Sequence, residues 1–102
     1  MDVMKSHYEN DFARCDVLPN DALPAGVLVV SNVETDAPHQ RKGHATRLMQ
    51  RVCRDADLGG VVLVLLPAVD SFYERFGFTQ LQASPIMMVR APITRKKKAQ
   101  HA

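Results

Sequence analysis

A chain of 102 residues, 46% of them apolar, can build one small core and not two. Thirteen Lys and Arg against eleven Asp and Glu leave a net charge of +2, and Lys96 to Lys98 supply three of those bases, so the rest is nearly neutral, which argues against nucleic acid as a partner. No apolar run reaches about 18 residues and the opening MDVMKSHYEND lacks an apolar signal core, which points to a cytoplasmic protein with no membrane partner.

Residues 1–25 form a segment of mixed character, in which Pro19, Asn20, Asp21 and Pro24 mark a loop and only HYENDFARCDVL suggests extended chain. Cys15, within it, and Cys53 have no Cys/His spacing that would hold a metal, so both read as thiols and no metal site is expected. GVLVV, from Gly26, is a β-branched apolar run of the kind expected for a strand buried on both faces. Ser31 and Asn32 interrupt it before Val33 resumes, which is how a β-bulge looks in sequence.

Ala45, Leu48, Met49, Val52 and Cys53 then recur at three- and four-residue spacing, with Arg47, Gln50, Arg51 and Arg54 between them. That pattern predicts an amphipathic helix ending near Gly59 and Gly60. VVLVLL predicts a second doubly buried strand, AVDSFYERFGF a short helix capped by Gly77, and TQLQASPIMMV two strand segments divided by Ser84 and Pro85. The order strand, helix, strand, helix, strand, strand argues for an α/β (α+β) domain whose first two clear strands are parallel. The basic segment 92–102 has nothing to bury and is expected to be a disordered tail.

The junction QRKGHAT concentrates positive charge where side-chain bulk falls away. The first turn of a helix leaves backbone N–H groups without partners and gathers partial positive charge. Gly43 and Ala45 allow an anion to approach closely, and Arg41 and Lys42 add full charges for phosphate oxygens. The GKS/T ending of a P-loop and the three spaced glycines of a dinucleotide fingerprint are both missing.

QRKGHA resembles the Q/R-x-x-G-x-G/A acyl-CoA pyrophosphate motif of the GNAT superfamily of N-acyltransferases, and FYERFGF resembles the aromatic segment of the same family about thirty residues later. TDAPHQRKGHATRLM and PIMMV are similar to the family's strand-end, loop and helix and to its closing strand, so the resemblance covers roughly residues 26–91. It implies a GNAT-like mixed sheet with splayed parallel central strands, two flanking helices, and acetyl-CoA as co-substrate. In that fold the pantetheine arm lies between the splayed strands like an added strand. Carried over to this chain, the backbone near Val33 and Thr35 holds the thioester carbonyl and pantetheine amides, and Gln40, Arg41, Lys42, Gly43, His44, Ala45 and Thr46 hold the pyrophosphate. Tyr73 stands at the position of the family's frequent general acid, where an ordinary phenol with pKa about 10 keeps its proton for the departing thiolate. Glu34 and His39 are the nearest candidates in sequence for a base.

Only about 25 residues precede the bulged strand, so the chain resembles a small, N-terminally abbreviated member. Leu66, Pro67 and Ala68 stand where many members carry an asparagine that helps hold the cofactor. The expected activity is transfer of an acetyl group from acetyl-CoA to an amine of a small molecule or protein. The alternative is a catalytically degenerate module that binds CoA or a protein partner. For the acyltransferase a homodimer is expected, because a shortened sheet leaves an edge and apolar surface to cover.

Overall fold

The computed structural model describes residues 4–36, 43–65, 71–81 and 84–93. Strands β1 (His7–Glu9), β2 (Ala13–Leu18) and β3 (Val27–Thr35) lead to helix α1 (His44–Gly59) and strand β4 (Val62–Leu65). A 3₁₀ helix, Ser71–Phe76, follows, and strands β5 (Thr79–Leu81) and β6 (Ser84–Arg90) close the chain. The six strands form one sheet in the order β1-β2-β3-β4-β6-β5. β3 and β4 are parallel, as α1 between them requires, and all other neighbours are antiparallel.

The helix follows the sequence pattern closely. Leu48, Met49, Val52, Cys53 and Ala56 are buried, and they meet Ala13, Cys15 and Val17 of β2, Val30 of β3, Leu63 and Leu65 of β4, Met88 and Phe78 in one core. Gly60 ends the helix in the left-handed region (φ 67°), where its N–H returns to the carbonyls of Ala56 and Asp57.

Three expectations are corrected. The 26–30 run is not buried on both faces: Val27, Leu28 and Val29 are half-buried, and only Val30 is fully enclosed. The reason is that α1 and the 3₁₀ helix lie on the same side of the sheet, since Arg90 of β6 reaches both Asp57 of α1 and the carbonyl of Phe76. Val27 and Val29, with their partners Val62 and Val64 on β4, alternate onto the other side. The second helix is one short 3₁₀ element, closed by the Gly77 N–H on the Glu74 carbonyl at 3.0 Å, so among the described residues a single α-helix flanks the sheet. Ser84 and Pro85 open β6 instead of dividing two strands. The extended chain read in HYENDFARCDVL is present as two strands, and Tyr8 within it is fully buried. Of the tail expected at 92–102, Pro92 and Ile93 are described, with the Ile93 N–H held by Asp57 at 2.8 Å, and the rest lies outside the described residues.

Candidate functional site

The bulge foreseen at Ser31 and Asn32 is present. Arg14 pairs with Glu34 and Asp16 with Ser31, so Asn32 and Val33 together oppose Cys15. Asn32 takes the strain, with φ of 54°. Among the described residues β4 accompanies β3 from Val27–Val62 to Val30–Leu65, and β3 runs on through Thr35 along β2. The β4-facing backbone of residues 31–35 thus extends past the last described β4 rung. α1 follows β3 and the 3₁₀ helix follows β4, so both helical elements start from this C-terminal end of the parallel strands.

At the start of α1, Gly43 is the N-cap in the left-handed region (φ 86°, ψ 4°), with no side-chain cap and no acidic residue in the first turn. A Cβ placed on Gly43 would come within 3.2 Å of an Arg47 guanidinium nitrogen. Arg47 is exposed, as the helix pattern implies, and its guanidinium folds back over the helix start, donating to His44 Nδ1 at 2.7 Å. The signal that could have found it is the three-residue spacing from His44, which stacks side chains on one helix face. The His44 ring also packs on Phe12, with centroids 4.6 Å apart, and Asn10 donates its amide to the His44 carbonyl at 3.0 Å. The first turn of α1 is therefore held from the β1–β2 loop while its end carries Arg47 and no anionic side chain.

Of the expected site residues, Val33 and Thr35 lie on β3 at and beyond the bulge, Gly43 caps α1, and His44, Ala45 and Thr46 form its first turn. Gln40, Arg41 and Lys42 lie outside the described residues, as do His39, Leu66, Pro67, Ala68 and Asp70. Tyr73 sits mid-way along the 3₁₀ helix, half-buried, with its ring at 5.1 Å from that of Phe72 and 6.2 Å from that of Phe78. Glu34 is exposed and lies 3.6 Å from Arg14. A hollow of about 1090 Å³ lies elsewhere, at the far end of α1 between Arg54, Asp57, Arg75 and Ile93.

A family model described as an acetyltransferase (GNAT) domain matches residues 13–81. The chain belongs to the GNAT acetyltransferase family. The GNAT fold is also what solved structures share with it. A GNAT family N-acetyltransferase from Escherichia coli in complex with CoA superposes with a TM-score of 0.65 at 15% identity, over 81% of this chain and 55% of its own. The ribosomal-protein-S18-alanine N-acetyltransferase of Escherichia coli gives 0.62 at 17% identity, over 83% and 64%. N-acetylglutamate synthase from Neisseria gonorrhoeae, complexed with coenzyme A and N-acetyl-glutamate, gives 0.64 at 15% identity, over 83% and 24%. The chain thus spans less than two thirds of the length of these structures. Among curated proteins no sequence match is found.

Within this GNAT domain both cysteines are buried and free, and burial pushes the Cys15 thiol up to about 12 and the Cys53 thiol up to about 11. Neither is a nucleophile at neutral pH. Among the described residues no group of three or more His, Cys, Asp or Glu could hold a metal.

Proposed function

We propose that the protein transfers the acetyl group of acetyl-CoA to an amine. The observation that carries this reading is β3 itself, which runs parallel to β4, breaks register at a bulge and continues along β2 toward a glycine-capped helix. An extended pantetheine arm fits beside it as an added strand, hydrogen-bonding to the β3 backbone near Val33 and Thr35. The start of α1 suits the pyrophosphate: it presents a helix N-terminus without an acidic side chain, a glycine where a Cβ would crowd Arg47, and the Arg47 guanidinium itself. Arg41 and Lys42 would add charge there, and Gln40 another polar contact.

Catalysis on this reading comes first from position. Holding thioester and amine together supplies several kcal/mol of the barrier, and a β3 N–H aimed at the carbonyl oxygen stabilises the charge that develops as the amine attacks. Tyr73 then gives its phenolic proton to the departing thiolate. The acceptor is proposed only as an amine of a small molecule or protein.

The test follows free thiol released from acetyl-CoA across a panel of amines, with binding measured by calorimetry. Tyr73→Phe keeps the ring between Phe72 and Phe78, so CoA binding persists while turnover falls by about 10²-fold or more. Binding without thiol release by the parent protein would instead identify a CoA-binding module. No binding would refute the reading altogether.

A further inference from the structure

The sheet face opposite α1 changes character across the bulge. On β3 before the bulge it carries Val27 and Val29. On β1, β2 and the bulged end of β3 it carries His7, Arg14, Asp16, Asn32 and Glu34, which with Cys15 line a cavity of about 230 Å³. Polar side chains converge here on a single carboxylate. Asp16 accepts from His7 Nδ1 at 2.8 Å on one oxygen and from the Asn32 side-chain amide at 3.0 Å on the other. Asn32 is the strained residue of the bulge, so the carboxylate that orients the imidazole is anchored to the backbone beside which the proposed acyl channel opens. The second ring nitrogen, Nε2, meets Glu9 Oε1 at 2.7 Å, and the Glu9 side chain is 63% exposed. Water or a substrate can therefore replace that contact.

As an ion pair this arrangement contributes little stability, because its members are solvent-accessible and screened. Its chemical consequence is larger. A histidine whose Nδ1 is fixed by a doubly hydrogen-bonded carboxylate has its other nitrogen aimed and made more basic, which is the arrangement a general base requires. Two carboxylates and an arginine complete its surroundings: Glu9 on its own strand, Glu34 on β3, and Arg14 on β2, which is itself drawn toward Asp36 and Glu34. Acidic groups outnumber Arg14 there, and that balance favours a cationic ligand.

We propose that this cavity receives the acceptor as a primary ammonium and that His7, oriented by Asp16, takes its proton. The inference rests on the acetyltransferase reading and assigns the base which that reading lacks. The ammonium gives one proton to Nε2 of His7, and the free amine attacks the thioester carbonyl carbon. The C–N bond forms as the C–S bond breaks, and the thiolate leaves with the proton of Tyr73. Tyr73 recovers a proton, through solvent, from the nitrogen that becomes the amide, and His7 returns its own to water. Asp16 first and Glu9 second hold the imidazole pKa above its ordinary 6.5, so the base form accumulates only as pH rises past that value.

The experiment is the pH dependence of kcat/KM for thiol release from acetyl-CoA with ethanolamine, lysine amide and spermidine as acceptors. The parent is expected to gain activity with pH through an ionisation above 6.5. His7→Gln should lower kcat/KM by about 10²-fold and abolish that limb. Asp16→Asn and Glu9→Gln each remove a carboxylate that raises the His7 pKa, and should move the limb to lower pH. An ionisation belonging to the amine stays fixed in every variant, and CoA affinity by calorimetry should not change. If the parent turns over and the limb is unmoved in all three variants, the assignment to His7 is wrong and the acetyltransferase reading stands. If the parent binds CoA but releases no thiol with any amine, both fall.

Discussion

Arg90 offers the clearest test of how the fold is held. Its side chain is 4% exposed, yet it carries a full charge, and each guanidinium nitrogen has a partner. Nη1 and Nη2 meet the two carboxylate oxygens of Asp57 at 2.8 and 3.0 Å, and Nε meets the Phe76 carbonyl at 2.7 Å. Asp57 also accepts from the Ile93 N–H at 2.8 Å. One residue therefore joins the last turn of α1, the end of the 3₁₀ helix that carries Tyr73, and β6. Arg90→Met keeps the apolar stem and removes the three contacts. Breaking a buried pair from one side costs about 3–5 kcal/mol. Asp57 is 21% exposed and keeps its Ile93 partner, so solvent relieves part of the loss and the lower end, about 3 kcal/mol, is expected. For a domain of this size 1 kcal/mol moves Tm by about 4–8 °C, so the variant should melt about 12–24 °C lower. Urea unfolding with linear extrapolation gives the free energy directly. Adding Asp57→Leu to Arg90→Met should cost far less than the two single losses summed, because the second change removes the charge that the first strands. A variant within about 0.5 kcal/mol of the parent, or additive losses, would refute the clamp.

Gly43→Glu places bulk against Arg47 and a negative charge at the helix start, and should weaken CoA binding at least about tenfold by calorimetry; equal affinity would remove the pyrophosphate from α1. Tyr8 donates to Asp55 at 2.7 Å from a buried ring, so Tyr8→Phe should cost about 1.5–3 kcal/mol in urea unfolding. Cys15 and Cys53, with thiols raised to about 12 and 11 by burial, should react with a thiol reagent at pH 8 only at the rate of global or local opening, which added urea accelerates. The His7–Asp16 pair should favour the folded state between the ordinary Asp value of 3.8 and the ordinary His value of 6.5. The lowered Asp16 loses its contribution as pH falls, and the raised His7 loses its own as pH rises. Tm of Asp16→Asn against the parent from pH 3 to 9 shows whether the difference peaks in that window.

The parts of the fold legible in the sequence were those with a period or a punctuating residue. Leu48, Met49, Val52 and Cys53 repeat at helical spacing, so their burial follows from the pattern alone. Gly60 and Gly77 do stop the two helical elements, both with positive φ. Ser31 and Asn32 betrayed the bulge because polar residues in an apolar strand need a reason. Illegible were the sidedness of the sheet and the type of the second helix. An apolar run such as 26–30 says that a strand is compatible with burial, but coverage is decided by where the helices cross, and here α1 and the 3₁₀ helix share one face. β1 and β2 were faint because their alternation of buried Ala13, Cys15 and Val17 with Arg14 and Asp16 uses small or ambiguous residues.

The site divides along the same line between local and long-range information. A glycine-capped helix start is written in neighbouring residues, so the junction at Gly43 could be found from the chain alone, and Tyr73 came with its aromatic segment. His7, Asp16 and Asn32 belong to three different strands, and nothing in their spacing of 9 and 16 residues ties them together. Their meeting depends on the register of β1 on β2 and on the bulge in β3, which places Asn32 within reach of Asp16 although Ser31 is its paired neighbour. A straight β3 would turn every residue after Ser31 to the opposite face, because strand side chains alternate with period two. The bulge therefore has two roles on the proposed reading. It accompanies the departure of β3 from β4 on one side, and on the other it sets the side chain that fixes the Asp16 carboxylate. Deleting one residue at Asn32 should therefore disturb acyl-donor binding and the His7 pH limb together, whereas His7→Gln disturbs the second alone.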